Sequence, residues 1–225
     1  AGDSAALMPL RGKPSAITSF LNGASRNNPT AAEAAAMGRL LARMHLAAGG
    51  FDKRRENPVG PEQWKKLIGA CAGKADSLQP GLAALLQDEL AHQKDVPAGL
   101  PAGAVHADLA PDNIFFEGNE ISGVIDFYFS CTESFLYDLM QTANAWCFVN
   151  TEKTRELLAA YQTVRPLNAA EKGALHFFGR RAALRIVATR LYDWFHRREG
   201  AQVVPHDPLE YVRILRGYRD GSFTP

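Results

Sequence analysis

Three polar residues in the middle of the chain have the types and spacing of a phosphoryl-transfer site. Asp108 and Asn113 lie in a His-x-Asp-x-x-x-x-Asn pattern that begins at His106, and Asp126 follows Asn113 by thirteen residues at the end of an apolar run. A transferred phosphoryl group passes through a loose transition state, so the protein must mainly align the acceptor and neutralise charge. Carboxylate and amide oxygens at this spacing are suited to both tasks.

Each of the three residues has a predicted role. Asp108 would face the acceptor hydroxyl, orient it and accept its proton. Asn113 and Asp126 would hold Mg²⁺ against nucleotide phosphates, because Mg²⁺ takes a few hard oxygen ligands and keeps water and phosphate oxygens in its shell. The competing interpretation is an ordinary loop with an Asx turn and a capping aspartate, and the additional strand-end Asp126 disfavours it.

The neighbouring polar residues are predicted to have supporting roles. We interpret His106 as a structural residue that bonds the backbone, and not as a general base. Asp112 is interpreted as a solvated turn residue. Asp138 lies four residues into a predicted helix that begins at Ser134. It would either brace the catalytic loop or stabilise the N-terminal turn of that helix.

Short strands must position the three residues. Strand-like runs occupy residues 104–106, 113–116 and 120–126, and the tight turn at 117–119 joins the last two into a hairpin. Asn113 and Asp126 would therefore lie on one hairpin, with Asp108 on the loop before it. Two further runs, at 5–10 and 15–21, predict an N-terminal hairpin, and residues 22–29 have loop composition.

The rest of the chain has helical patterns. A capping box at Thr30 and Glu33 opens the first helix, Gly49 and Gly50 end it, and Asn168 caps a later one with Glu171 at the third position. The further predicted helices span 61–72, 80–93, 134–149, 152–163, 169–198 and 208–218.

Composition excludes several classes of function. The chain has 225 residues with 25 basic and 24 acidic side chains, for a net charge of +1, so we expect neither nucleic acid nor an anionic membrane as a partner. The three cysteines are far apart in the sequence and are expected to be reduced and buried. No apolar run is long enough to span a membrane, no signal peptide is apparent, and a cytoplasmic location is expected.

The catalytic segment resembles the aminoglycoside phosphotransferase and choline kinase group of protein-kinase-like enzymes, and within that group the homoserine kinase branch. The Asp-Phe-Tyr-Phe stretch at 126–129 and the Arg-Leu-Tyr-Asp-Trp stretch at 190–194 point to that branch. Residues 15–21 resemble the strand that becomes the hinge between the two lobes of such enzymes. Segments 105–116, 122–131, 137–138, 144–147, 189–194 and 205–208 carry the likeness.

The resemblance implies an α+β, protein-kinase-like fold. It implies a mostly helical C-terminal lobe at 22–225, with a small β-hairpin that carries the metal ligands. Residues 1–21 would be the end of an N-terminal lobe and the hinge. The sequence begins without Met, and its first residues have the pattern of the inside of a structural element, so we expect it to be part of a longer protein. A protein without the preceding lobe would have almost no kinase activity, because nothing would clamp the phosphates.

The resemblance also implies the reaction and its ligands. ATP and Mg²⁺ would serve to phosphorylate the hydroxyl of L-homoserine to O-phospho-L-homoserine, a step toward threonine. Asp108 would be the catalytic base, and Asn113 and Asp126 the Mg²⁺ ligands. Ser19, Phe20 and Leu21 would contact adenine through backbone groups.

An amino-acid acceptor requires an arginine fork for its carboxylate and an acidic or amide partner for its ammonium, both near Asp108. The predicted helix that contains Arg185 and Arg190 is the best source, and Tyr128 would line the acceptor site. Arg185 could equally be a buried brace to Asp138 or Asp193.

Two alternatives remain open from the residues. A different amino alcohol or an aminoglycoside could be the acceptor, and Trp146, Tyr192 and Trp194 leave an aromatic cage for choline possible. A non-catalytic kinase lobe is the other class, which the intact Asp108, Asn113 and Asp126 disfavour.

Overall fold

In a computed structural model that describes residues 8–93, 95–197 and 205–225, short antiparallel strands lie among longer helices. The strands are β1 (Met8–Leu10), β2 (Lys13–Ser15), β3 (Ala102–Val105), β4 (Ile114–Glu117), β5 (Glu120–Val124) and β6 (Cys131–Ser134). The helices are α1 (Ala31–Ala47), α2 (Pro61–Leu78), α3 (Leu82–His92), α4 (Phe135–Cys147), α5 (Thr151–Gln162), α6 (Ala169–Phe195) and α7 (Leu209–Asp220).

The strands form three antiparallel pairs, β1–β2, β3–β6 and β4–β5. The predicted β4–β5 hairpin is confirmed, with Ile114 opposite Val124 and a bulge between Phe115 and Phe116. The β3–β6 pair was not predicted, because β6 pairs with a strand far away in the sequence and no turn signal marks it.

The N-terminal hairpin is shorter than predicted. β1 pairs with β2 in the register Met8 to Ser15, whereas residues 16–22 form no strand. Ile17 and Phe20 are strongly exposed, at 85% and 90%, and no described strand runs beside them, so the β-type composition alone does not produce a strand there. Residues 5–7 of the predicted first strand lie outside the described residues.

The predicted helices are confirmed in position, and their caps match. Thr30 and Glu33 form the capping box of α1, and Asn168 and Glu171 form that of α6. Helix α2 extends to Leu78, beyond the predicted end at 72, because buried Cys71 and Ala75 continue its inner face. Helix α6 ends at Phe195, before the predicted end at 198, because His196 leaves the helical conformation with φ of -122° and ψ of 32°.

Helix α4 forms the centre of the core. All of its residues except Ala145 are buried, and it packs against α5 and α6, while α6 also packs against α2 and α7. A helix that is buried on all sides is expected to be apolar, because burying a polar side chain costs free energy unless it has a hydrogen-bond partner. Asp138, Gln141 and Asn144 are nevertheless buried on α4, and the first two contact the loop between β3 and β4.

Two expectations about the whole chain can be compared with the structure. Cys71, Cys131 and Cys147 are free and buried, as predicted. Among the described residues, no helix combines the length and the apolar character needed to cross a membrane.

Candidate active site

The loop between β3 and β4 carries Asp108, and a carboxylate from α4 fixes its backbone. Asp138 accepts hydrogen bonds from the N–H groups of His106, at 3.1 Å, and Ala107, at 2.8 Å. Ala107 has φ of 66°, a left-handed conformation that costs energy for a residue with a side chain. The two bonds to Asp138 hold the loop in this conformation and so determine where Asp108 lies. This geometry corresponds to the bracing role considered for Asp138.

Asp138 is completely buried, and its own partners keep it ionised. Burial raises the pKa of a carboxyl, but here the hydrogen bonds from His45 and from the loop N–H groups outweigh burial and hold the pKa of Asp138 below its ordinary value. Nε2 of His45 lies 3.1 Å from Asp138 Oδ2, and its Nδ1 lies 2.8 Å from the hydroxyl of Tyr161. A buried hydrogen-bonded chain therefore connects α5, through His45 of α1 and Asp138 of α4, to the loop that carries Asp108.

The His106 ring joins the loop that carries Asp108 to the residue that follows β5. Its Nδ1 accepts from the N–H of Asp108 at 3.3 Å, and its Nε2 lies 3.0 Å from the carbonyl oxygen of Ile125. Since one partner is a donor and the other an acceptor, we assign the neutral tautomer with hydrogen on Nε2. Both partners are backbone groups, as the sequence interpretation of His106 anticipated.

Asn113 and Asp126 lie side by side at the open end of the β4–β5 hairpin. The N–H of Ile125 donates to the carbonyl oxygen of Asn113 at 3.0 Å, which extends the strand pairing to both residues. The side-chain nitrogen of Asn113 donates to the carbonyl oxygen of Asp108 at 2.8 Å, so its side-chain oxygen remains available.

Asp126 carries a buried oxygen that suits a cation. Its Oδ1 is buried and has no hydrogen-bond partner in the part of the chain that the structure describes. An ionised oxygen is costly to bury without a partner, and Asp126 also has a left-handed φ of 64°. With the free oxygen of Asn113, it provides the hard oxygen donors that Mg²⁺ prefers, so the residues present fit this ion.

Asp108 is reachable, and it is paired with a buried arginine. Its side chain is 22% exposed, and its Oδ1 lies 3.2 Å from Nη1 of Arg185 on α6. Burial raises the pKa of Asp108 above its ordinary value, and the Arg185 guanidinium opposes that rise. The proposed brace from Arg185 to Asp138 or Asp193 is therefore wrong, because the loop directs Asp108 toward α6 and Arg185 pairs with it instead.

A cavity of about 610 Å³ opens beside Asp108. Arg185 and Arg190 are both part of its wall, together with Gln141 and Asp112. Nη1 of Arg190 donates to Glu210 at 2.7 Å and to the carbonyl oxygen of Asp207 at 3.1 Å. The structure thus brings both predicted substrate-binding arginines to one space next to the predicted base.

The aromatic residues are not arranged as the sequence suggested. Tyr128 is 81% exposed and does not line this cavity, because the helical turn at 127–129 directs it outward. Trp146 is buried and donates from Nε1 to the carbonyl oxygen of Leu109 at 2.8 Å, so it supports the loop. Tyr192 and Trp194 are also absent from the cavity wall.

Among the predicted hinge residues, Leu21 lies against the β4–β5 hairpin. Ser19 and Phe20 are exposed, and the Leu21 side chain lies directly over Gly123 of β5. Ala24 forms a two-way backbone bridge with Phe116 of β4 at 3.0–3.1 Å. Gly23 has φ of 107°, and a Cβ there would lie 2.5–2.9 Å from Ser122 and Phe116, which is why this approach requires glycine.

Sequence reasoning missed Gln141, His45 and Trp146 as supports of the site. Gln141 donates to the carbonyl oxygen of Ala107 at 2.5 Å and lies 3.4 Å from Asp108 Oδ1. The available signal was its position three residues after Asp138, on the same face of a helix that is otherwise largely apolar.

Comparison with known proteins gives the context of this site. The model of the phosphotransferase enzyme family matches residues 3–177. A homoserine kinase of Azorhizobium caulinodans is 49% identical over 223 residues, covering 96% of this chain and 70% of that enzyme. A homoserine kinase of Mesorhizobium japonicum is 44% identical over 225 residues, covering 97% of this chain and 70% of that enzyme.

Solved structures agree in fold at low sequence identity. A spectinomycin phosphotransferase in complex with ADP and spectinomycin superposes with a TM-score of 0.60 and 15% identity, covering 98% of this chain and 70% of that one. The predicted α+β, kinase-like fold is confirmed. With its family model and its relatives in agreement over most of its length, the chain belongs to the phosphotransferase enzyme family.

Proposed function

We propose that the protein is an ATP-dependent kinase that phosphorylates the hydroxyl of L-homoserine to O-phospho-L-homoserine, a step toward threonine. The observation that carries this is the position of Asp108, a reachable carboxylate next to an arginine-walled cavity, in a chain 49% identical to a homoserine kinase. The family match and these relatives support phosphoryl transfer to an alcohol.

In this reaction Asp108 orients the acceptor hydroxyl and takes its proton. The acceptor oxygen forms a bond to the γ-phosphorus of ATP, the bond from that phosphorus to the β–γ bridging oxygen breaks, and ADP leaves. Because the proton is transferred late in a loose transition state, the reaction requires an ionised and well-placed carboxylate more than a strong base. Asp138, His106 and Gln141 supply that placement through the loop backbone.

The nucleotide side of the site is proposed on the β4–β5 hairpin. Asn113 and Asp126 would hold Mg²⁺, which would neutralise phosphate charge when bound. The backbone of Ser19, Phe20 and Leu21 would contact adenine. We further propose that residues 1–21 belong to the end of an N-terminal lobe and the hinge, and 22–225 to the catalytic lobe. The exposure of the β1–β2 hairpin and of residues 16–20 supports this division.

The substitution Asp126→Asn tests the metal site without relying on turnover. It removes the charge from the buried oxygen that lacks a partner while preserving shape. We expect the affinity for Mn²⁺ in the presence of ADP to fall by about tenfold or more, since ligand charge sets the affinity of oxygen sites. Electron paramagnetic resonance of free Mn²⁺ measures it in the full-length protein. The exposed Asp193→Asn should behave as wild type, and equal Mn²⁺ affinity in both variants would contradict the assignment.

The charge of the cavity supports an amino-acid acceptor. Arg185 and Arg190 provide forked donors suited to a carboxylate, and the hydrogen bonds of Arg190 to Asp207 and Glu210 both come from Nη1. An aminoglycoside is a polycation without a carboxylate and would leave these two arginines without an acceptor. Choline would need an aromatic cage, and Trp146 is buried under the loop instead.

An ADP-release assay with a panel of acceptors tests the proposed function. With the full-length protein, kcat/KM for L-homoserine should exceed that for choline and for kanamycin by about 100-fold or more, because discrimination by charged hydrogen bonds is strong. A preference for choline or kanamycin would contradict the homoserine assignment. Absence of turnover with every acceptor, in a protein that binds ATP, would favour a non-catalytic lobe.

A further inference from the structure

The arginine side chains around the acceptor cavity all form ion pairs, whereas, among the residues that the structure describes, one of its carboxylates does not. Three arginines line it, and each already contacts a carboxylate. Arg26 contacts Glu33 at 2.8 Å, Arg185 contacts Asp108 at 3.2 Å, and Arg190 contacts Glu210 at 2.7 Å. Local positive charge is therefore largely neutralised before any acceptor enters.

Asp112 is the exception among the charged side chains of this wall. It lines the cavity together with Asp108, and its carboxylate forms no ion pair or side-chain hydrogen bond with residues 8–93, 95–197 or 205–225. Its backbone is nevertheless fixed, since the N–H of Asn113 donates to the carbonyl oxygen of Ala110 at 3.0 Å. The short helical turn at Pro111–Asn113 thus presents the exposed, unpaired Asp112 side chain from a fixed backbone in the cavity wall.

This arrangement matches the distribution of charge in a hydroxy-amino acid. In homoserine, two methylene groups separate the hydroxyl from the carbon that carries the carboxylate and the ammonium. The carboxylates of Asp108 and Asp112 come from one loop, while Arg185 and Arg190 come from α6. An acceptor with its hydroxyl at Asp108 and its carboxylate at the α6 arginines still needs a partner for its ammonium.

We propose that Asp112 binds the ammonium group of the acceptor and makes the enzyme selective for hydroxy-amino acids over hydroxy acids that lack the amino group. The proposal rests on the proposed function, since it places a homoserine-like acceptor in this cavity. The other nearby carboxylates are engaged, Asp108 with the hydroxyl and Glu210 with Arg190. The sequence interpretation of Asp112 as a solvated turn residue predicts no such selectivity.

The test compares L-homoserine with 4-hydroxybutanoate, which has the same hydroxyl and carboxylate but no ammonium. For the full-length wild type, kcat/KM should favour L-homoserine. Asp112→Asn should reduce that preference by about tenfold to a hundredfold, the range for loss of a charge-assisted hydrogen bond. The loss should appear mainly as a higher KM for L-homoserine, whereas kcat/KM for 4-hydroxybutanoate should change by less than about twofold.

Two further variants make the result specific. Asp112→Glu keeps the charge and should retain part of the preference, and Asp52→Asn, an exposed aspartate that does not line the cavity, should leave it unchanged. An unchanged preference in Asp112→Asn, or an equal loss with both substrates, would overturn the proposal. If the wild type does not phosphorylate L-homoserine at all, the proposed function itself fails, which is a different outcome.

Discussion

Replacement of Asp108 by asparagine should lower kcat by about 10²–10⁴-fold, the range for removal of a positioned acid–base group. Asparagine has nearly the same shape and can still accept from Arg185, which lies 3.2 Å away, but it cannot take up the hydroxyl proton. ATP affinity should stay within about twofold, because the metal ligands and the hairpin are unchanged. Steady-state kinetics with L-homoserine and equilibrium binding of ATP to the full-length protein measure the two quantities.

The pH dependence gives a second measurement on Asp108. Only its ionised form can accept the proton, and burial raises its pKa above the ordinary value for an aspartate. Turnover should therefore fall, as the pH is lowered, at a higher pH than an ordinary aspartate would give. The Asp193→Asn control should keep both kcat and the pH profile. A kcat for Asp108→Asn within fivefold of wild type would mean that Asp108 is not the base.

The parts of the site that depend on local sequence were predictable. The β4–β5 hairpin follows from two strand-like runs and a tight turn, so the proximity of Asn113 and Asp126 could be anticipated. The placement of Asp108 on the preceding loop follows from the same pattern. The capping boxes of α1 and α6 require only residues three positions apart.

The parts that depend on packing between distant segments were not predictable. Arg185 contacts Asp108 across 77 positions, and His45 contacts Asp138 across 93. Periodicity shows which face of a helix is buried, but it does not show which residue of another helix lies opposite. The brace considered for Arg185, to Asp138 or Asp193, therefore named the wrong carboxylates, whereas the other interpretation placed Arg185 near Asp108, where it lies.

Proximity in sequence also misled in one case. Tyr128 follows Asp126 by two residues, yet the turn at 127–129 leaves its side chain exposed. Asp112 shows the converse, because an exposed turn residue turns out to line the cavity. An exposed side chain in a loop can face bulk solvent or a bound ligand. Which of the two it faces depends on the walls that other elements provide.

Replacement of Asp138 by asparagine should destabilise the protein by about 2–4 kcal/mol and lower kcat at least about tenfold. The carboxylate accepts from two loop N–H groups and contacts His45, whereas an amide would turn a donor toward one of these. A buried donor without an acceptor costs about 1–3 kcal/mol, and Ala107 would lose a bond that holds its left-handed conformation. Urea unfolding and steady-state kinetics measure both effects, with Asp193→Asn as the exposed control.

The stability difference should depend on pH with a definite sign. The pKa of Asp138 is lowered in the folded protein, so its contribution is fully present above the pKa of an unfolded aspartate, about 3.9. It is lost as the pH falls through the still lower pKa of the folded state. The gap between wild type and Asp138→Asn should be constant from about pH 7 to pH 5 and should narrow below about pH 4.

A double-mutant cycle with His45→Gln separates the loop contacts from the His45 contact. Because His45 and the loop N–H groups share one carboxylate, the two substitutions should be non-additive by about 1 kcal/mol or more. Additive effects would mean that His45 stabilises only the packing of α1. A lower kcat in His45→Gln, with the contacts of Ala107 and Asp108 to α4 retained, would show that the buried chain from Tyr161 through His45 helps to position the loop that carries Asp108. A loss of stability without any loss of kcat would limit that chain to a role in folding.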